Sequence, residues 1–383
     1  MAALKRRTAL LWGCVQCAGL AGLPACASAS PWSAPARFQR PDVSTDEGGL
    51  WALMDREESR LRRSPFRVRD EGLTNYIREI ACRLGREHCA DLRCYLVRAP
   101  FFNASMAPNG MMQVWSGLIL RMENEAQLAA VIGHEIAHYL QRHSVERMRD
   151  QQARAAFGQV LGLFGVVGLV GQLATLAGAM AYSRSHELDA DKIGLVLMQQ
   201  AGYDTRAAAQ VWSNLLAELR ANPDLDPAKN SVLFATHPPS DERQKMLSSM
   251  AVADKSGELG EQRFIEKTAG FKLQMLEDEI KRGQHSESIV LITRLLNSNP
   301  DDPPLLHYKG EAHRLRNADG DREVALTDLS AAVSKANPLP ISHRSLGFLH
   351  RSMGQPEKAR EHFKLYLEMA PDAVDAEMIR RET

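Results

Sequence analysis

The chain has 383 residues, room for two or three domains and at least one full-sized core. Its 47 basic and 47 acidic side chains cancel to a formal net charge of zero, so it carries no electrostatic footprint for nucleic acid. With 44% hydrophobic and 25% charged residues, its composition is that of an ordinary globular protein.

The first stretch, 1–29, reads as a secretory signal: Lys5, Arg6 and Arg7, then a mostly apolar run over 8–23, then small residues. Ala27-Ser28-Ala29 fits ordinary cleavage. Leu23-Pro24-Ala25-Cys26 resembles a bacterial lipobox, which would leave Cys26 acylated, although Pro24 fits that pattern poorly. Either route places the protein in the periplasm, and acylation would tie it to the outer membrane. Residues 30–50, rich in Pro, Ser and Gly, are expected to form a loose leader.

Residues 51–90 are charged and helical in period, with one helix over 73–84. An exported chain permits disulfides, and outside the signal three cysteines remain: Cys82, Cys89 and Cys94. We expect Cys82 to pair with Cys89, leaving one thiol over. A strand follows at 93–98. Then 103–107 and 111–116 read as a hairpin around Pro108-Asn109-Gly110. The Asn103-Ala104-Ser105 sequon would matter only in a glycosylating pathway, which nothing here indicates.

The central stretch is 128–143, LAAVIGHEIAHYLQRH. At 100° per residue Leu128, Ile132, Ile136 and Leu140 make one apolar stripe, with His134 and His138 nearly opposite. One face can enter a core while the other meets a cleft. His134-Glu135-Ile136-Ala137-His138 is H-E-x-x-H: two imidazoles one turn apart can share one Zn²⁺, and Glu135 stands close enough to take a proton from water.

Residues 157–182 form an apolar, glycine-rich run interrupted by Gln159 and Gln172. It can be read as a membrane span, a segment touching the membrane, or a glycine-lined helix near the site. Residues 183–220 read as one or two helices broken at Gly202-Tyr203-Asp204, and 221–231 as a polar loop. Thr236-His237-Pro238-Pro239 then precedes a short charged helix over 241–247.

A hydrolytic zinc needs a third protein ligand and an open position. The best candidate is Glu187 in Ser185-His186-Glu187-Leu188-Asp189-Ala190-Asp191. Asp191, at i+4 on the same face, can hold the outward N–H of a ligand histidine. His143 lies nine residues after His134, where the metzincin spacing needs ten. On a continuous helix it would also point about 140° away from the pair, so we read it, like His186, as structural.

From about residue 268 the pattern becomes a repeat. Gly283 and Pro300 are seventeen residues apart, as are Gly354 and Pro371, and Gly310, Ala325 and Pro338 mark a middle unit. Leu346, Gly347, Ala359 and Phe363 sit at tetratricopeptide spacing.

HEIAHYLQRH, SRSHELDAD, NASMAPNG and THPPSDER together resemble the gluzincin peptidase family of the CAAX prenyl protease, HtpX and Oma-type proteases, over about residues 70–250. With the export signal and the repeat tail, the resemblance is to its periplasmic, repeat-bearing members. It implies a mostly α fold: a zincin-like α+β peptidase domain with a small edge-stranded sheet over 51–255, then a tetratricopeptide solenoid over 268–383. It implies His134, His138 and Glu187 as zinc ligands and Glu135 as catalytic base. It places Asn103, Ala104, Ser105, Met106 and Ala107 on the strand bordering the substrate cleft. Where the family usually has Gly this chain has Asn109, which can take a left-handed turn position.

His237 matches the family's T-H-P histidine. Two roles are open: oxyanion stabiliser, or a fourth ligand that keeps the enzyme latent. Arg243 is expected to pair with a carboxylate near the site. The resemblance further implies misfolded or stalled envelope proteins as substrates and an envelope protein-assembly machine as partner of the repeats. The competing readings are a chaperone or adaptor with a vestigial or latent peptidase, and an integral-membrane peptidase anchored by 157–182. A decayed site should have lost one of His134, Glu135, His138 or Glu187, and all four are present.

Overall fold

The computed structural model describes residues 32–149, 182–222, 233, 236–237, 241–252 and 257–383. The expected signal, residues 223–231 of the loop expected at 221–231, and all but the last residue of the apolar run 157–182 lie outside the described residues. No helix among the described residues is long and apolar enough to cross a membrane. The chain divides into residues 1–34 and 35–383. Of the first, only 32–34 are described, without regular structure.

Helices α1 (Asp46–Arg63) and α2 (Glu71–Gly85) open the second unit, each with a side-chain cap: Thr45 accepts from the Gly48 N–H and Asp70 from that of Leu73. A short 3₁₀ turn (Arg86–Asp91) leads into β1 (Arg93–Val97), β2 (Ala104–Met106) and β3 (Met111–Trp115). The sheet order is β1-β3-β2. β1 runs parallel to β3 with Arg93 opposite Met111, and β2 runs antiparallel with Met106 opposite Met112. The expected hairpin is therefore β2–β3, and β2 is left as an edge.

The left-handed position of that hairpin turn is Gly110, with φ +87°, and not Asn109. A Cβ at Gly110 would sit 2.2 Å from the Asp91 carbonyl oxygen. Asn109 instead uses its side chain, donating to Asp55 Oδ1 at 2.8 Å and accepting from the Met111 N–H at 3.2 Å.

The expected disulfide Cys82–Cys89 is present, and Cys94 is a buried free thiol. Residues 35–40, expected as part of a loose leader, are placed against the folded chain. His88 Nε2 lies 2.9 Å from the Pro35 carbonyl, and Arg37 is bonded to Asp91.

Glu58 of α1 fastens the sheet. It accepts from Arg62 at 2.7 Å, Tyr95 at 2.7 Å and Arg93 at 2.8 and 2.7 Å. Burial pushes its carboxyl up, but the bonds from Arg93 and Tyr95 and the Arg93 charge outweigh that and hold it at about 2, below the ordinary 4.5. A depressed carboxylate stabilises the fold above its unfolded pKa, and that contribution disappears as pH falls towards the folded value. We predict that Glu58→Gln lowers stability at neutral pH by about 2 kcal/mol, allowing for solvent screening at the half-exposed arginines. Urea midpoints of the two proteins should converge between pH 4.5 and about 2. A gap that is the same at every pH would contradict this assignment.

After β3 comes a short helix that the sequence reading did not anticipate, α3 (Ser116–Leu120), and then α4 (Glu125–Leu140). Asn124 caps α4 by accepting from the Gln127 N–H at 2.9 Å, and Gln127 Oε1 reaches back to the Glu123 N–H at 2.8 Å. Glu125 favours the positive end of the helix dipole and is anchored by Tyr76 at 2.8 Å and Tyr203 at 2.6 Å. All sixteen residues of α4 are buried, not only its apolar stripe. Leu128, Ile132, Ile136 and Leu140 each contribute about 1.5–3 kcal/mol of burial.

Helix α5 (His143–Arg149) follows a sharp turn, and α6 (Arg184–Gln200) packs along α4. The two backbones touch where Gly133 meets Gly194: a Cβ at Gly194 would lie 3.2 Å from the His134 nitrogen and 3.4 Å from the Gly133 carbonyl carbon. That approach carries the start of α6 to the histidine face of α4. Helices α7 (Arg206–Arg220) and α8 (Asp241–Val252) pack against each other and flank this pair.

The remaining helices are α9 (Glu261–Lys281), α10 (His285–Ser298), α11 (Pro303–Arg316), α12 (Asp321–Ser334), α13 (Pro340–Ser352), α14 (Pro356–Met369) and α15 (Ala376–Arg380). Consecutive members pack on each other, α11 with α12 and α13 with α14 most extensively. Arg121, buried after α3, bonds Glu218 of α7 at 2.7 Å and both oxygens of Glu279 of α9 at 3.1 Å.

Candidate metal centre

The one-turn spacing on α4 sets His134 and His138 with their Nε2 atoms 3.1 Å apart. His134 Nδ1 lies 2.9 Å from Asp191 Oδ1, which leaves Nε2 facing inward. Glu187, on the first turn of α6, places Oε2 3.5 Å from His134 Nε2 and Oε1 3.5 Å from His138 Nε2. His237 Nδ1 completes the group, 3.2 Å from His134 Nε2 and 3.0 Å from Glu187 Oε1. One donor atom from each of His134, His138, Glu187 and His237 lies within 4.8 Å of every other, and all four residues are buried.

The charges around the group are arranged for a cation. Burial holds His138 well below its ordinary value, so its ring is neutral and has a lone pair to give. Burial pushes the Glu187 carboxyl up, but the nearby His237 and the bonds from His138 and His237 outweigh that and keep it ionised. Three imidazole nitrogens and one carboxylate oxygen form a donor set suited to zinc. Arg243 of α8 braces the carboxylates, reaching Asp191 at 2.7 and 2.9 Å and Glu187 at 2.6 Å.

Glu135 stands beside the donors without joining them. Its Oε1 lies 3.5 Å from His237 Nε2, and the Met106 backbone hydrogen-bonds its carboxylate. Burial pushes that carboxyl above its ordinary range. Met106 belongs to the edge strand β2. The other residues of that stretch sit alongside: the Asn103 carbonyl accepts from Trp115 at 3.0 Å, and the Ala107 N–H donates to Met111 at 2.8 Å. Ala104 is buried, while Ser105 and Ala107 are half-buried.

His143 is where the sequence reading went wrong in geometry. A continuous helix would have pointed it away, but α4 ends at Leu140 and Arg142 takes φ +57°. The chain turns, and His143 Nδ1 comes within 2.9 Å of His138 Nδ1. Its ring stacks on His186 at 4.3 Å, and His186 Nε2 lies 3.2 Å from Glu146. Neither belongs to the donor group among the described residues.

Two neighbours of the centre were missed altogether. Tyr182 stacks on the His138 ring at 4.0 Å, and its N–H donates to the Thr236 carbonyl at 2.9 Å, beside His237. Trp212 of α7 lies 6.3 Å from the His134 ring and under the Arg243 guanidinium at 4.6 Å. Tyr182 precedes the S-R-S-H-E stretch directly, which was the available signal. Trp212 had none.

Comparison with known proteins agrees with this geometry. Residues 68–251 match peptidase family M48. The chain carries an M48 peptidase domain. All four donors and Glu135 fall inside it, and the family is zinc-dependent. The mitochondrial metalloendopeptidase OMA1 of Arabidopsis thaliana is 33% identical over 161 residues, 42% of this chain and 32% of that protein. The beta-barrel assembly-enhancing protease of Yersinia pestis is 30% identical over 231 residues, 55% of this chain and 46% of that protein. The protein of that name from Escherichia coli O157:H7 is 29% identical over 220 residues, 52% and 44%. The chain thus spans less than half the length of each of these relatives.

Proposed function

We propose that the protein is a zinc-dependent endopeptidase of the bacterial cell envelope that hydrolyses misfolded or stalled envelope and outer-membrane proteins. The observation that carries the reading is the buried His134–His138–Glu187 donor set with Glu135 beside it. A zinc ion held by His134, His138 and Glu187 would supply Lewis acidity to a scissile carbonyl and lower the pKa of the attacking water. Glu135 takes the proton from that water and later delivers it to the leaving amine. Asp191 fixes the His134 ring, and Arg243 holds Asp191 and Glu187 in place. An extended peptide lies along the free edge of β2, beside Asn103, Ala104, Ser105, Met106 and Ala107.

The consecutive helix pairs from α9 onward are read as tetratricopeptide units that hold substrate or an envelope protein-assembly machine. Export to the periplasm follows from the signal at 1–29. A peripheral membrane contact through 157–182, and acylation at Cys26, remain part of the proposal.

His237 favours a second, compatible reading: a peptidase held latent while the chain acts as a chaperone or adaptor. Its Nδ1 lies within the donor group, so His237 would be able to serve as a fourth ligand where a hydrolytic zinc needs an open position. We predict that His237→Ala digests casein several-fold faster than wild type, and that a zinc chelator stops both. Slower digestion by the variant would make His237 a transition-state stabiliser instead. Chelator-resistant digestion would remove the zinc mechanism.

A further inference from the structure

A second group of imidazoles lies on the α13–α14 hairpin, well outside the M48 domain. His343 and His350 stand two turns apart on α13, and His362 faces them from α14. His343 Nδ1 and His362 Nδ1 point at each other 3.0 Å apart. The His350 ring lies 5.3 Å from that of His362 and within 4° of parallel. We propose that His343 and His362 form a second divalent transition-metal site, with Zn²⁺ or Cu²⁺ as its ion.

The distance is the first argument. Two imidazole nitrogens bonded to one ion at about 2.0–2.1 Å lie about 2.8–3.0 Å apart in adjacent square-planar positions and about 3.3–3.4 Å apart at the tetrahedral angle. At the M48 centre the corresponding nitrogen–nitrogen separations are 3.1 Å, between two Nε2 atoms, and 3.2 Å, between Nε2 and Nδ1. The hairpin pair has a similar spacing, here between two Nδ1 atoms.

Ring chemistry is the second. An imidazole binds metal as the neutral ring, through the lone pair of its unprotonated nitrogen. Without an ion, one Nδ1–H donates to the other Nδ1. With one, each ring carries its proton on Nε2, so no net proton is released.

Access and support are the third. Both rings are half-buried, so an ion can enter and complete its shell with water. His350 is oriented by its Nδ1, which donates to Gln355 Oε1 at 2.8 Å, and it backs the His362 ring. It is a positioning residue, not a ligand, in this arrangement.

The test uses the full chain with the M48 centre already loaded with zinc. Equilibrium dialysis at micromolar free Zn²⁺ should give two equivalents per wild-type chain and one for His343→Gln and for His362→Gln. Adding one equivalent of Cu²⁺ to the zinc-loaded wild type should give an electron paramagnetic resonance spectrum split by two imidazole nitrogens, lost in either variant. A His138→Ala chain, weakened at the first centre, should keep the copper signal. That arm separates failure here from failure of the peptidase reading. Wild type that stops at one equivalent and gives no nitrogen-split copper signal would overturn the proposal, without reliance on any variant folding. Retention of the second equivalent in both glutamine variants would overturn it equally.

Discussion

Glu135→Gln should lower casein hydrolysis by about 10²–10⁴-fold, the usual worth of a positioned general base. Zinc content should not change, because Glu135 lies outside the group of donors. Nor should the fold suffer. Burial already pushes the Glu135 carboxyl above its ordinary range, and its Oε1 has no hydrogen-bond partner among the described residues. A neutral amide of the same shape removes a desolvated charge without opening a cavity. The measurement is initial rate on casein beside metal analysis and a thermal melt of the same preparation. Unchanged hydrolysis would eliminate Glu135 as the base. Loss of both zinc and rate would assign it to metal retention instead.

Arg121→Met should cost about 3 kcal/mol of stability, the lower part of the range for breaking a buried ion pair. The guanidinium is 4% exposed and lies between Glu218, 1% exposed, and Glu279, 0% exposed. Removing it leaves two carboxylates buried and short of a partner. Arg294 at 2.8 Å from Glu218 and Arg282 at 2.7 Å from Glu279 keep the loss from being larger. Because Glu218 lies on α7 and Glu279 on α9, the loss should be felt across both. Urea unfolding followed by helical circular dichroism checks this. A loss under about 1 kcal/mol would class the cluster with surface ion pairs, which contribute little.

What could be read from the sequence was what a single helix or a short turn encodes. H-E-x-x-H and the E-x-x-x-D pair depend only on the helical repeat, so their side chains fall on one face whatever else the chain does. The hairpin around Gly110 and the break at Gly202-Tyr203-Asp204 are local too. Failures came where one residue changed direction or where partners are remote. The reading of His143 assumed that α4 continued, and Arg142 in the left-handed region ends that assumption. The Asn109 reading put the left-handed residue one position early. The parallel pairing of β1 with β3 depends on a crossover that periodicity does not report. Trp212, and the two glutamates facing Arg121 from 97 and 158 residues away, are tertiary facts with no local trace.

The crossing of Gly133 with Gly194 has a bearing on how the protein can vary. The separation between the α4 histidines and Glu187 is set by main chain resting on main chain, not by side chains that could shrink or grow. Apolar residues around it are therefore free to drift in size, at the expense of stability alone. Bulk added at the fulcrum itself would lever the two helices open and loosen the grip. The spacing of the donor group thus depends on two positions that supply no donor atom.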